Sequence, residues 1–338
     1  MPPYISFIVA ARNDNYGGKF LQRLQLFLNV LFTFWQKHRL NAELIIVEWN
    51  PPEDKQRLYE AVDWSKCPDT GAVRLITVPK HIHDQLPNSR RMPMFEYFAK
   101  NAGIRRANGE FVLILNPDLL LSEELVAYLA SQKLSRSRFY RIDRYNYFGI
   151  LPPWVPPKLA LLFAKCRTIT LCDTRISKRM RLFGILTGKW PSVYSGWWKC
   201  RKPTEEPVIP LVDNGEWSPS GVYTCNSGDF LLAARDAWFQ IRGYPENPET
   251  FTHLDSYGCS QLRSIKLEQA LFLPPCMILH AAHTGDVIGK RPAITLEKLY
   301  IDLEKMRDGQ LDPVFNDTNW GQAKHDLEEV TVNGKIRP

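Results

Sequence analysis

The sequence predicts an α/β protein with a Rossmann-like, mostly parallel central sheet, flanking helices and an irregular inserted segment. Three observations carry this. Over the first 130 residues or so, apolar runs of strand length alternate with stretches of helical periodicity. Polar residues gather where the apolar runs end. Between about residues 140 and 220 the alternation stops and positive charge accumulates.

Residues 4–11 form the first apolar run, closed by the polar turn Arg12-Asn13-Asp14-Asn15-Tyr16-Gly17-Gly18. Leu21, Leu24, Leu28, Leu31 and Trp35 then recur at helical spacing, and Phe20, Phe27 and Phe34 widen that face. Residues 43–49 read as a second strand, stopped by Asn50-Pro51-Pro52; 53–62 as a helix; 73–78 as a third strand; and 94–107 as a helix ended by Asn108-Gly109. Residues 110–115 are the fourth strand, and Asn116-Pro117-Asp118 leads to a helix from about Ser122. Strands joined through helices imply right-handed crossovers and parallel pairing. In such a sheet, ligands sit at the carboxyl ends of the strands. Here those ends are Arg12–Asp14, Glu48 and Asn116–Asp118.

Regular patterning returns in the last third, with a strand-like stretch at 223–234, helices at 236–241, 252–263 and 294–306, and short strands at 270–273 and 277–280. The residues past Asp308 read as a polar, loosely held tail. The organisation expected is a regular α/β half (1–135), a basic, Pro- and Trp-rich insertion (136–221), a second half of the same domain (222–308) and the tail (309–338).

The chain has 338 residues, 44% of them hydrophobic and 23% charged, which excludes wholesale disorder and coiled coil. No run of 18 apolar residues suggests a spanning helix. The opening MPPYISFIVAARND has neither the basic region nor the cleavage site of a signal peptide. The seven cysteines form no CxxC pair, as expected of reduced thiols rather than a disulfide framework or zinc site. Together these point to a cytoplasmic protein. The net charge of +7 is uneven: residues 133–202 hold 16 Lys or Arg against Asp143 and Asp173, while the rest carries 27 basic and 34 acidic residues. Such a block suggests an anionic partner. Within it, Trp154, Leu159, Leu161, Leu162 and Phe163 stand among Lys158, Lys165, Arg167 and Lys178–Arg181, the pairing of apolar and basic groups that an anionic membrane surface would hold through 154–181. The alternative is the core of an inserted subdomain with a solvated basic face.

Four stretches, in order, resemble a GT-A-type glycosyltransferase of the family 2 kind. They are the opening strand and its turn, Leu44-Ile45-Ile46-Val47-Glu48, residues 99–118 ending in Asn116-Pro117-Asp118, and Ser227-Gly228-Asp229-Phe230-Leu231-Leu232 with Arg235, Trp238 and Gly243-Tyr244-Pro245-Glu246. The resemblance covers residues 4–130 and 222–285; the middle segment lies outside it. It implies transfer of a sugar from a nucleotide-sugar donor, UDP-linked by expectation, to a saccharide or lipid-linked acceptor with inversion. It implies nucleotide contacts from Ala11, Arg12, Asp14, Glu48, Asn101 and Asn116. Asp118 with His280 or His283 would hold a divalent metal, Mn²⁺ or Mg²⁺, and Asp255 would be the base, with Asp229 the next candidate.

The chemistry explains these residue types. A departing nucleoside diphosphate develops negative charge that a metal ion or cationic groups must stabilise. An acceptor hydroxyl is a poor nucleophile until a carboxylate removes its proton. Two positions depart from the family pattern: Asn116 stands for the first acid of a DxD turn, and Leu254 for the acid before Asp255.

Other readings remain open at this stage. Asn116-Pro117-Asp118 alone is an ordinary turn, Asp14 and Glu48 could be solvated strand ends, and Asp229 could bond local backbone. Trp197 and Trp198 could be core or sugar platforms, and Arg141, Asp143 and Arg144 an internal ion cluster or phosphate contacts. A nucleotidyltransferase would want a phosphate loop, of which Gly17-Gly18-Lys19 is a faint version. A non-catalytic module binding nucleic acid through the basic block lacks any supporting motif, so no nucleic acid is expected.

Overall fold

The computed structural model describes residues 2–69, 72–192, 207–211, 221–250, 252–283 and 294–332. Trp197 and Trp198 lie outside these residues.

The first half follows the predicted alternation. It runs β1 (Ile5–Ala11), α1 (Phe20–His38), β2 (Ala42–Trp49), the short α2 (Leu58–Ala61), β3 (Ala72–Val78), the short α3 (Lys80–His83), α4 (Glu96–Arg105), β4 (Phe111–Leu115), β5 (Leu119–Leu121) and α5 (Glu123–Ala130). β1 pairs in parallel with both β2 and β4, and β2 with β3. Every residue of β1 and β2 is buried, as expected of strands covered on both faces. Along β1, Phe7 and Val9 face a core completed by Phe27, Leu31 and Trp35 of α1, whereas Ile8 and Ala10 face α4. Each large apolar side chain so buried contributes about 1.5–3 kcal/mol. At Gly103 of α4 an added Cβ would lie 2.5 Å from Ile8 Cγ2, so the missing side chain lets the helix lie close on the sheet.

The remaining elements are β6 (Arg138–Ile142), β7 (Arg144–Phe148), α6 (Pro157–Cys166), β8 (Thr168–Leu171), β9 (Thr174–Arg175), α7 (Lys178–Thr187) and β10 (Val208–Pro210). After a 3₁₀ turn at Ser227–Asp229 come β11 (Phe230–Ala234), α8 (Arg235–Gln240), α9 (Leu254–Ser264), β12 (Glu268–Phe272), β13 (Ile278–Ala282), α10 (Leu296–Arg307) and β14 (Glu329–Val332). The main sheet has nine strands in the order β10-β12-β6-β11-β4-β1-β2-β3-β14. The α/β class is therefore as expected, but parallel pairing dominates only across β3-β2-β1-β4. Beyond β4, β11 runs antiparallel to it, and β14 runs antiparallel to β3 at the far edge.

The described residues of 136–221 are less irregular than their composition suggests. They place β6 inside the main sheet, between β12 and β11, and supply β7, β8 and β9 to a second sheet ordered β5-β13-β7-β8-β9. Nor are residues 309–332 loosely held. Trp320 is buried, and Arg106 donates to the carbonyls of Gly321 (2.7 Å), Gln322 (3.0 Å) and His325 (3.1 Å) before β14 joins the sheet. A polar sequence whose backbone is claimed by a half-buried arginine gives no local sign of that anchorage.

Candidate active site

Strand order reverses at β1, which lies between β2 and β4, and the crevice outside their carboxyl ends is a cleft of about 750 Å³. Its walls include Ala11, Arg12 and Asp14 after β1, Gly17, Gly18 and Arg23 around the start of α1, Glu96 of α4, Asn116 and Asp118 after β4, Arg144, Asp229, His280 and His283. A second pocket, of about 440 Å³, lies near the amino end of β1 and includes Tyr4, Asn108 and Arg136. It holds none of the ionisable cluster described next.

The second sheet assembles that cluster. β13 pairs with β5 so that His280 faces Leu119, the residue after Asp118. His280 Nε2 lies 3.5 Å and His283 Nε2 3.3 Å from Asp118 Oδ2, and ligand atoms of the three residues lie within 4.8 Å of one another. On the other side of β13, Asn146 of β7 is in register with His280. His280 Nδ1–H donates to the Asn146 amide oxygen (3.1 Å), which leaves Nε2 facing the carboxylate. Asn146 is itself fixed by donating to Thr170 Oγ1 (2.9 Å) and the Cys172 carbonyl (3.1 Å). His283 Nδ1 is buried without a hydrogen-bond partner among the described residues.

A side-chain cation shares the cluster. The Arg23 guanidinium, 2% exposed, donates to Asp118 Oδ2 and to the Tyr16 carbonyl. Burial works to raise the Asp118 carboxyl, but His280, His283 and Arg23 outweigh it and hold the group well below the usual carboxylate range. Gly17 lets the loop reach this packing: its φ is +65°, and an added Cβ would lie 2.4 Å from His283 Nδ1.

A second network joins the end of β4 to the turn before β11. Asn116 donates to Asp229 Oδ1 (2.6 Å), and Arg144 donates to Asp229 Oδ2 (2.6 Å). Burial works to lower Arg144, but Asp229 more than compensates and raises it, securing its charge. Arg144 Nε has no partner among the described residues. Lys100, fully buried, donates to Glu96, to Asn116 Oδ1 (3.1 Å) and to the Gly228 carbonyl (2.9 Å). On the opposite wall, Arg12 donates to Asp14 (2.7 Å) and to the Asn50 carbonyl (2.7 Å).

Of the residues singled out in the sequence, Ala11, Arg12, Asp14, Asn116, Asp118, Asp229, His280 and His283 meet in this cleft. Glu48 and Asn101 do not. Glu48 is 1% exposed and accepts from Arg57 Nε (2.8 Å) and the Leu58 backbone N–H (3.0 Å), capping α2. Burial raises its carboxyl, and Arg57 offsets this only in part. Asn101 clamps residues 244–246, donating to the Tyr244 carbonyl (2.8 Å) and Glu246 (3.1 Å) and accepting from the Tyr244 N–H (2.9 Å). Asp255, in the first turn of α9, does not line the cleft either; its Oδ2 accepts from Ser227 Oγ and the Gly228 N–H, both at 2.8 Å, in the turn that carries Asp229. Lys19 does not line the cleft, so the faint phosphate-loop motif is not assembled.

Arg23, Glu96 and Lys100 escaped sequence reasoning. Each sits within a helix, and only the folded sheet shows what such polar side chains meet. The Arg141–Arg144 group divides: Arg141 binds the Phe230 and Cys225 carbonyls, Asp143 accepts from Tyr223 Oη (2.8 Å), and Arg144 alone of the three lines the cleft.

No family model and no curated protein matches the chain. Among solved structures that match, residues 1–349 of S. aureus TarS align over 82% of this chain and 60% of that chain, with 11% identity and a TM-score of 0.45. This chain thus spans less than two thirds of that structure's length, and the likeness adds nothing about activity to what the geometry supplies.

Proposed function

We propose that the protein is a glycosyltransferase that takes a nucleoside-diphosphate sugar, UDP-linked, into the cleft and transfers the sugar to a saccharide or lipid-linked hydroxyl with inversion. The observation that carries this reading is the placing of the Asp118–His280–His283 cluster and three arginines around a single cleft at the sheet's switch point. Asp14 and Asn116 face the nucleoside and ribose; Arg12 and Arg144 face the diphosphate.

The donor set fits a divalent cation. Two imidazole nitrogens and one carboxylate within 4.8 Å of one another suit Mn²⁺ better than Mg²⁺, which prefers an all-oxygen shell. Asp118, His280 and His283 would hold the ion, which when bound would neutralise charge on the leaving diphosphate. Arg23 supplies fixed positive charge beside Asp118.

Asp255, bonded to the turn that carries Asp229 rather than lining the cleft itself, is assigned as the base. Both oxygens of Asp229 are held by Asn116 and Arg144, whereas Asp255 Oδ1 has no hydrogen bond among the described residues. Asp229 then orients Arg144 and Asn116. The experiment is transfer from a panel of nucleotide sugars by Asp255→Asn and Asp229→Asn variants. Asp255→Asn should lower turnover by about 10²–10⁴-fold with donor affinity unchanged, and Asp229→Asn should weaken donor binding. Wild-type turnover in Asp255→Asn would move the base to Asp229, and no transfer by the wild type from any donor would refute the reading.

A further inference from the structure

Among the described residues, nothing covers the outward face formed by α6, α7 and the loop before α6. Thirteen large apolar side chains are exposed among the described residues, and eight of them lie between Phe148 and Leu186. α6 buries Ala160, Leu161 and Ala164 and turns Leu162 and Phe163 outward, while α7 buries only Gly184 and presents Leu182, Phe183 and Leu186. Trp154 is 78% exposed and Leu186 75%. Eight clustered exposures are more than the scatter of single apolar residues normal on a protein surface.

The charge on this face has one sign. Neither helix contains an acidic residue. On α7 the basic residues stand one turn below the apolar ones, Lys178 beneath Leu182 and Arg179 beneath Phe183, so both kinds share a face. Lys158 and Arg167 are exposed at α6. None of these four forms an ion pair with a described carboxylate. A second copy would bring two positive faces together, and a neutral partner would leave the charges unused.

We propose that this face docks on an anionic lipid bilayer, with the apolar side chains in the headgroup–acyl boundary and the basic ones among the phosphates. No described helix is long and apolar enough to cross a membrane, so the attachment would be interfacial. The face adjoins the cleft: β7 runs in parallel register with β13, placing Asn146 beside His280 and the exposed Phe148 beside Ala282, next to His283. Docking would therefore set the cation cluster near the headgroup layer. The inference is independent of the reading of the cleft, because vesicle binding is measured without a donor.

The test is co-sedimentation of the full chain with phosphatidylcholine vesicles, with and without phosphatidylglycerol, at low and high salt. Two double variants at exposed positions accompany it, Lys178→Glu with Arg179→Glu and Leu182→Ser with Phe183→Ser, with thermal melting to show that each folds. The wild type should pellet only with anionic vesicles. High salt and charge reversal should each weaken binding at least ~10-fold, since one basic residue near such a surface is worth about fivefold. The serine variant should lose binding even at low salt. Absence of pelleting by the wild type overturns the proposal, as does pelleting that neither pair alters. Light scattering that shows a dimer dissolved by the serine pair would assign the face to a second copy instead.

Discussion

Two regions of the protein hold positive charge in opposite ways. In the cleft, Arg12, Arg23 and Arg144 are each bonded to a carboxylate and largely withdrawn from water. On the α6–α7 face, Lys158, Arg167, Lys178 and Arg179 are exposed and unpaired with any described acid. Burial fixes geometry: a charge that cannot reach water must find a partner at bonding distance, so the cleft arginines point where their carboxylates place them. An exposed charge keeps its freedom and is screened by salt, which suits attraction to an extended surface rather than recognition of one molecule. The same residue type thus marks a site in one region and a surface in the other.

This contrast should break first at Arg23. In Arg23→Ala, Asp118 keeps its burial but loses a partner, at a cost of about 3–5 kcal/mol in denaturant unfolding. Mn²⁺ should restore part of that loss by supplying another cation. A cost below ~1 kcal/mol would show the pair to be effectively solvated.

Gly17→Ala comes next. It forces a side chain into left-handed backbone and against His283, with an expected loss of about 1–3 kcal/mol and of any Mn²⁺-dependent stabilisation. If the variant melts as the wild type does, the loop is not packed on His283.

Glu246 sharpens the comparison because it is a largely buried acid with no cation at bonding distance among the described residues. Burial raises its pKa to about 7, against lowering by the Gly321 N–H and Asn101. The folded chain then keeps a proton that the unfolded chain has lost, so this group's contribution to stability falls as pH rises from about 4.5 to about 7. Glu246→Gln should remove that dependence and gain on the order of 1 kcal/mol at pH 8 relative to pH 4.5, after discounting for partial solvent access. Parallel melting-temperature profiles of variant and wild type would contradict it.

The smallest effect belongs to the exposed face. The Lys178→Glu and Arg179→Glu pair should change unfolding free energy by less than ~0.5 kcal/mol per residue. A larger loss would mean those charges have structural partners.

The same contrast explains what was legible in the sequence. β1 to β4 and their helices show because local periodicity encodes burial on a parallel sheet, and the polar strand ends show because the apolar run stops there. Asp118 could be singled out for that reason, whereas His280, inside β13, is named only through the family resemblance. Glu48 shows the limit: an acid at a strand end can face a ligand or cap a nearby helix, and the Leu58 N–H that it accepts from has no sequence signature. That cap begins the helix at Leu58, so only Leu58–Ala61 of the expected 53–62 is helical. β14 pairs with β3 across more than 250 residues of chain, and no local pattern records a partner so distant. The α6–α7 face was visible as composition, but whether Leu161 or Leu162 turns inward needed the fold.

The most direct test of the central claim is the melting temperature with UDP, with and without Mn²⁺, for the wild type and Asp118→Asn. At 100 times its dissociation constant, UDP should stabilise the wild type by about 2.7 kcal/mol. That gain should require Mn²⁺ and vanish in Asp118→Asn. A UDP shift that persists unchanged in chelator and in Asp118→Asn would contradict the assignment of Asp118, His280 and His283 to a metal-held diphosphate, and no shift at all would remove the nucleotide from the cleft.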